Sequence, residues 1–194
     1  MRRPPASVEL LIALKKILGP RRIRWYLFGA QAALVYGSAR MTMDVDVTIS
    51  VTQERVRPLV AALLKGGFAS RTDDLDAFFT RSRVIPLAHK RTRMPLDLVV
   101  ARDSLEATFL ERARPIDIGG VRVPVISPED LVVAKLFAGR PRDLGDVRSV
   151  LGAMGDSMDL RYIRALLGQL DEAEDRADLL PTLERLLGDA ATDD

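Results

Sequence analysis

The stretch Met43-Asp44-Val45-Asp46-Val47-Thr48-Ile49-Ser50-Val51 decides how the rest of the chain is read. Its residues alternate: Val45, Val47, Ile49 and Val51 fall on one side, Asp44, Asp46, Thr48 and Ser50 on the other. That is the pattern of a half-buried strand carrying two carboxylates on its polar face. Two residues apart on a strand, Asp44 and Asp46 project the same way, roughly 6 to 7 Å from each other. Carboxylates so placed repel unless a cation lies between them. Their hard oxygens suit Mg²⁺, and a pair of divalent ions ~4 Å apart is the usual clamp for in-line displacement at phosphorus. The plainer reading is that acids on the polar face of an edge strand simply meet solvent.

Upstream, Trp25 to Phe28 reads as a short strand running into Gly29, and the alanine-rich Gln31 to Tyr36 reads as a helix ending at Gly37. A glycine between strand and helix lets backbone N–H groups approach an anion such as a triphosphate, and the helix dipole adds to the attraction. Glycine also simply makes turns. Arg40 and Thr42 lie between this turn and the carboxylates, and Arg40 is either a bidentate phosphate contact or an exposed loop arginine. Before all of these, Leu11, Leu14 and Leu18 recur at helical spacing after Ser7, a cap candidate, and stop at Gly19-Pro20.

Downstream, Val56, Leu59, Val60, Leu63 and Leu64 mark a helix stopped by Gly66-Gly67. Arg83 to Ala88 and Leu96 to Ala101 flank the basic turn Lys90-Arg91-Thr92-Arg93 and read as a hairpin. Asp97, between Leu96 and Leu98, faces away from an apolar side and is a candidate third carboxylate on a strand able to pair beside the first. A helix from Ser104 to Arg112 leads to a second hairpin around Gly119-Gly120. Ser127-Pro128-Glu129-Asp130 then starts a helix, with a serine cap, proline in the first position and an acid three residues after the cap. Beyond it the pattern is helical to the end. The order predicts an α+β core over residues 1–126 and a helical region over 127–194 packed on it.

Composition narrows the chemistry. Of 194 residues, 47% are hydrophobic, enough for a packed core. There is no cysteine and one histidine, His89, which excludes disulfides, thiolate chemistry and multi-histidine metal clusters. The longest uncharged run, fifteen residues between Arg24 and Arg40, is shorter than the ~20 apolar residues of a membrane span. A cytoplasmic location with no membrane partner is therefore expected. The net charge of +2 hides a segregation: residues 171–194 carry −7 and the remainder +9. The basic clusters Arg21-Arg22-Arg24 and Arg81, Arg83, Lys90, Arg91, Arg93 either meet RNA phosphates or keep a surface solvated, and no aromatics interleave with them as in a base-stacking platform.

Phe28-Gly29-Ala30, Gly37 and Arg40-Met41-Thr42-Met43-Asp44-Val45-Asp46, together with His89-Lys90-Arg91-Thr92 before Pro95-Leu96-Asp97-Leu98, resemble the minimal nucleotidyltransferases of the polymerase-beta superfamily. The Arg-x-Thr-x-Asp-x-Asp form is similar to the branch that includes toxins of abortive-infection toxin–antitoxin systems. Ser127-Pro128-Glu129-Asp130-Leu131, Lys135 and Gly139-Arg140-Pro141-Arg142-Asp143-Leu144-Gly145-Asp146 resemble the later motif of that branch.

The resemblance covers residues 23 to 150 and implies a mixed sheet flanked by helices. It implies that Asp44, Asp46 and Asp97 are catalytic and hold two Mg²⁺ ions, Asp97 also accepting the proton of the attacking hydroxyl. Gly29 and Ala30 would cradle the phosphates of an NTP, with Arg40, Thr42, Lys135, Arg142 and Asp143 completing the nucleotide site. The implied reaction is transfer of a nucleoside monophosphate to RNA or protein, with a cognate antitoxin as partner. Two alternatives stand beside it: a small-molecule acceptor of the aminoglycoside type, and an inactive binding protein of the same fold. Ala30 stands where the branch often has serine, which motivates the last. Lys135, in an otherwise apolar helix, has the alternative of snorkelling to solvent.

Overall fold

Val45, Val47 and Ile49 are fully buried, and the strand they define is the middle of the molecule's sheet. The computed structural model describes residues 3–102 and 104–192; Arg2, Asp103, Asp193 and Asp194, counted above among the charges, lie outside the described residues. In chain order the elements of the first half are α1 (Ala6–Leu18), β1 (Arg24–Phe28), α2 (Gly29–Val35), β2 (Val45–Ser50), α3 (Gln53–Lys65), β3 (Phe68–Ser70), α4 (Leu75–Ser82), β4 (Val84–His89) and β5 (Pro95–Val100). There follow α5 (Ser104–Arg112), β6 (Arg114–Ile118), β7 (Val121–Val125), α6 (Pro128–Ala138), α7 (Pro141–Met154), α8 (Leu160–Ala173) and α9 (Leu179–Thr192).

The chain divides into two units, Met1–Phe28 with Thr42–Ile126, and Gly29–Met41 with Ser127–Asp194. The first unit holds all seven strands, in the order β3-β4-β5-β2-β1-β7-β6. Pairs β2/β5 and β1/β7 are parallel; the rest are antiparallel, including the β4–β5 and β6–β7 hairpins. β2 is thus a central strand, and the edge-strand reading of its acids does not hold. Thr48, placed on the polar side by alternation, is itself buried, as expected of a central strand covered on both faces. Leu10, Leu11 and Leu14 of α1, Leu59 and Leu63 of α3, Ile85, Leu87, Leu96 and Leu98 complete this core.

The second unit is helical: α2 with α6, α7, α8 and α9. Its core joins Ala32 and Ala33 to Leu131, Val132, Val150, Ile163, Leu167 and Leu183. Gly37 (φ +103) is required here, because a Cβ at that position would stand 2.3 Å from the Ala153 side chain. Ser127 caps α6, as the sequence predicts, by accepting the Asp130 N–H at 3.1 Å, and Gly139 (φ +65) ends the helix. The acidic segment from 171 to 192 belongs to the packed helices. α9 buries Leu179, Leu183 and Leu186, and its acids pair with bases of the same unit, Glu184 with Arg164 and Asp189 with Arg148.

One local expectation changes and two elements go unread. α1 begins at Ala6 after Pro5, one residue ahead of Ser7, and has no side-chain cap. β3 and α4 occupy the segment between the third helix and the β4–β5 hairpin. A three-residue strand and a helix burying one aromatic, Phe79, leave too little periodicity to read. Among the described residues, no helix is long and apolar enough to cross a membrane.

Candidate active site

β2 and β5 run parallel with Asp46 opposite Asp97 in register. Residues directly opposite project to the same face, on strands about 4.8 Å apart. Asp44 stands immediately before β2 and, by alternation, on that face too. The other face is sealed by Val45, Val47, Leu96 and Leu98, all fully buried, so the sheet itself turns the three acids to its half-exposed side. Pairing of strands about fifty residues apart thus sets Asp46 beside Asp97, with Asp44 two residues ahead on the same face.

Each end of this acidic face has a neutral or cationic neighbour. The Thr42 hydroxyl donates to Asp44 Oδ1, and the Arg71 guanidinium donates to Asp97 Oδ1. Among the described residues, no group of three or more His, Cys, Asp or Glu side chains is gathered closely enough to hold a metal ion, and Asp97 is turned to Arg71. In donor type alone the three carboxylates suit a divalent ion, as hard oxygen ligands on one face, two of them directly opposite.

In the helical unit, Gly29 opens α2 with φ +67, a conformation that favours glycine, and Ala30 is buried behind it. Lys135 does not snorkel. Its ammonium is buried and donates to Asp143 Oδ1 at 3.2 Å and Asp146 Oδ2 at 2.7 Å. Arg40 grips Asp146 with Nε and Nη2 at 3.2 and 3.0 Å, Ser38 donates to the same carboxylate at 3.0 Å, and Arg140 donates to Asp143. Burial would raise the Asp146 pKa; hydrogen bonds from Arg40, Lys135 and Ser38 and the charge of Lys135 outweigh it and lower it to about 2. Arg40, Lys135 and Asp143 are therefore committed to one another within this unit, while Arg142 is exposed.

The basic clusters are partly used by the first unit itself. Arg91 pairs with the buried Glu9 at 2.7 Å, Arg24 with Glu111, and Arg21 donates to the Ile17 carbonyl. Burial, then the charge of Arg91, lowers the His89 pKa against the opposing pull of Glu9, and its Nδ1 lies 2.9 Å from the Thr92 hydroxyl. Sequence reasoning missed Arg71 and Ser38. Nothing local marks either, since each takes its place through a partner distant in the chain.

A strand running into a glycine-opened helix, an acid-x-acid strand at the centre of a mixed sheet and a third acid on its parallel neighbour define the nucleotidyltransferase fold. The solved structures share it. The antibiotic-resistance factor ANT(2″)-Ia, in complex with adenylyl-2″-tobramycin, has a TM-score of 0.59 at 17% identity, covering 85% of this chain and 98% of that one. The lincomycin-bound lincosamide antibiotic adenylyltransferase LnuA has a TM-score of 0.52 at 14% identity, covering 76% and 98%. An antigenic nucleotidyltransferase-like protein from Paracoccidioides brasiliensis has a TM-score of 0.52 at 21% identity, covering 92% and 91%. The chain belongs to the family described as nucleotidyltransferase of unknown function (DUF6036), whose model matches residues 11–180. No curated protein matches it in sequence.

Proposed function

We propose that the protein transfers a nucleoside monophosphate from an NTP to a hydroxyl acceptor, with Asp44, Asp46 and Asp97 as the catalytic acids. The observation that carries this reading is the register of Asp46 against Asp97 on central parallel strands, with Asp44 two residues ahead. The acceptor oxygen forms a bond to the α-phosphorus, and the bond from that phosphorus to the β-phosphate bridging oxygen breaks. Pyrophosphate leaves with the electron pair, and the hydroxyl proton passes to Asp97. Two Mg²⁺ ions, held by Asp44, Asp46 and Asp97, would supply Lewis-acid neutralisation of the α-phosphate and the leaving group. Thr42 orients Asp44 through its hydroxyl.

Gly29 and Ala30 offer backbone N–H groups to the triphosphate, and exposed Arg142 offers a guanidinium. Arg40, Lys135 and Asp143 act as positioning residues: their network ties the end of α2, through Ser38, to α6 and α7. The resemblance to toxin-type transferases favours RNA or a protein hydroxyl as acceptor and a cognate antitoxin as partner. A small-molecule acceptor is the second reading, favoured by neighbours solved with adenylyl-2″-tobramycin and lincomycin.

Incubation with labelled NTPs, Mg²⁺ and a panel of RNA, protein, aminoglycoside and lincosamide acceptors tests the proposal, with Asp44→Ala as control. Label on one acceptor class that disappears in the variant supports it. Absence of label, or label indifferent to the substitution, rejects it; nucleotide binding without transfer identifies an inactive member of the fold.

A further inference from the structure

Arg71 is bound to the one carboxylate that the proposed reaction requires both as a metal ligand and as a proton acceptor. Its guanidinium donates to Asp97 Oδ1, and both side chains are about one-third exposed, at 34% and 32%. The contact is built into the sheet. Arg71 follows β3, and its backbone N–H donates at 2.9 Å to the carbonyl of Pro86, the residue opposite Asp97 in the β4–β5 ladder. The loop beyond is braced: the Ser70 hydroxyl donates to the Thr72 carbonyl at 2.7 Å, and Asp74 caps α4 by accepting the Ala77 N–H at 2.9 Å. Arg71 is therefore held one rung beyond the β3–β4 pairing, with its side chain spanning β4 to reach the acid on β5.

A guanidinium held on one oxygen of Asp97 neutralises that carboxylate and places a second positive charge beside any divalent cation it would ligate, so Coulomb repulsion weakens the binding of that ion. Freed from Asp97, a planar five-donor guanidinium on a braced loop matches phosphate oxygens. We propose that Arg71 is a positioning residue that competes with the divalent ion for Asp97 and transfers to the nucleotide phosphates when the ion binds, so that metal and nucleotide enter cooperatively. This rests on the reading of Asp97 as a metal ligand.

The test is Mn²⁺ binding to the full chain without acceptor, followed by the electron paramagnetic resonance signal of free Mn²⁺, with and without an NTP analogue that cannot be cleaved between the α- and β-phosphates. Without nucleotide, Arg71→Gln and Arg71→Met should each bind Mn²⁺ about fivefold more tightly than the parent, the scale of a partly exposed ion pair, while Arg71→Lys stays near it. Structural damage would weaken binding instead. The gain should vanish when Asp97→Asn is added, and the tightening of Mn²⁺ binding by the analogue should shrink in Arg71→Gln.

Unchanged or weaker Mn²⁺ binding in both Arg71→Gln and Arg71→Met overturns the competition. If Asp97→Asn alone still weakens Mn²⁺ binding, the proposed function survives that failure. If no form binds Mn²⁺, both fall. Tighter binding in the Arg71 variants of a protein that labels no acceptor leaves the competition standing and removes the transferase reading.

Discussion

The molecule has two clusters of aspartates with arginine or lysine partners, and burial separates their roles. In the helical unit, Asp143 and Asp146 are 3% and 1% exposed, and Lys135 only 5%. Such charges persist only when paired and hydrogen-bonded, and here Asp146 accepts from Arg40, Lys135 and Ser38 together. On the sheet, Asp44, Asp46 and Asp97 are half-buried, and the cation on Asp97 is itself one-third exposed. A pair open to water is cheap to exchange; a saturated buried one is not. The same residue types are therefore saturated structural pairs in one unit and solvent-open carboxylates in the other, where the proposed site lies.

The sharpest test of that contrast is stability. Asp146→Ala leaves Lys135 buried with half its partners and should cost about 3 to 5 kcal/mol in urea unfolding, whereas Asp97→Ala should cost less than about 1 kcal/mol. Equal losses would break the comparison. Activity should invert the ranking for the sheet: Asp44→Ala is expected to lower nucleotidyl transfer about 100- to 1000-fold, measured with labelled NTP, with its urea midpoint nearly unchanged.

Acid tests the buried cluster through Asp146. The folded pKa of Asp146, about 2, lies below its ordinary 3.8. The corresponding stabilisation, about 2 kcal/mol, is fully present above roughly pH 4 and lost as pH falls toward 2. Unfolding of the parent should fall more steeply over that range than unfolding of Asp146→Asn, and equal slopes would remove Asp146 as the cause. The smallest effect belongs to a fully open pair. Arg57 and Asp76 are 82% and 71% exposed, and Arg57→Ala should shift stability by less than about 0.5 kcal/mol, readable as an unchanged melting temperature.

Much of the candidate site was legible because its residues sit in locally periodic segments. Alternation over 43–51 placed Asp44 and Asp46 on one face, and Leu96 and Leu98 placed Asp97 away from the core. Lys135 was conspicuous as a charge in an apolar helix, and Asp143 and Asp146, one helical turn apart, read equally as its partners or as a solvated face; the fold decided between them by bringing both to Lys135 from the next helix. Arg71 left no trace in the sequence, being one arginine among many until β3, β4 and β5 align. Likewise, nothing in the composition of residues 29–41 marks them as part of the helical unit; the close approach of Gly37 to Ala153 and the Ser38 bond to Asp146 put them there.

By itself, the sequence determined most of the strands and helices, β3 and α4 excepted, the apolar side of β2 and β5, and that three acids lie opposite those apolar sides. Hydrophobic period and cap chemistry are local properties and survive without neighbours. Only the tertiary structure decided that β2 and β5 pair in parallel with Asp46 beside Asp97, that Arg71 occupies Asp97, and that Glu184 and Asp189 of the acidic segment meet Arg164 and Arg148 within the helical unit. Register and ion pairing depend on residues far apart in the chain meeting in space, and no local pattern encodes which cation a carboxylate will meet.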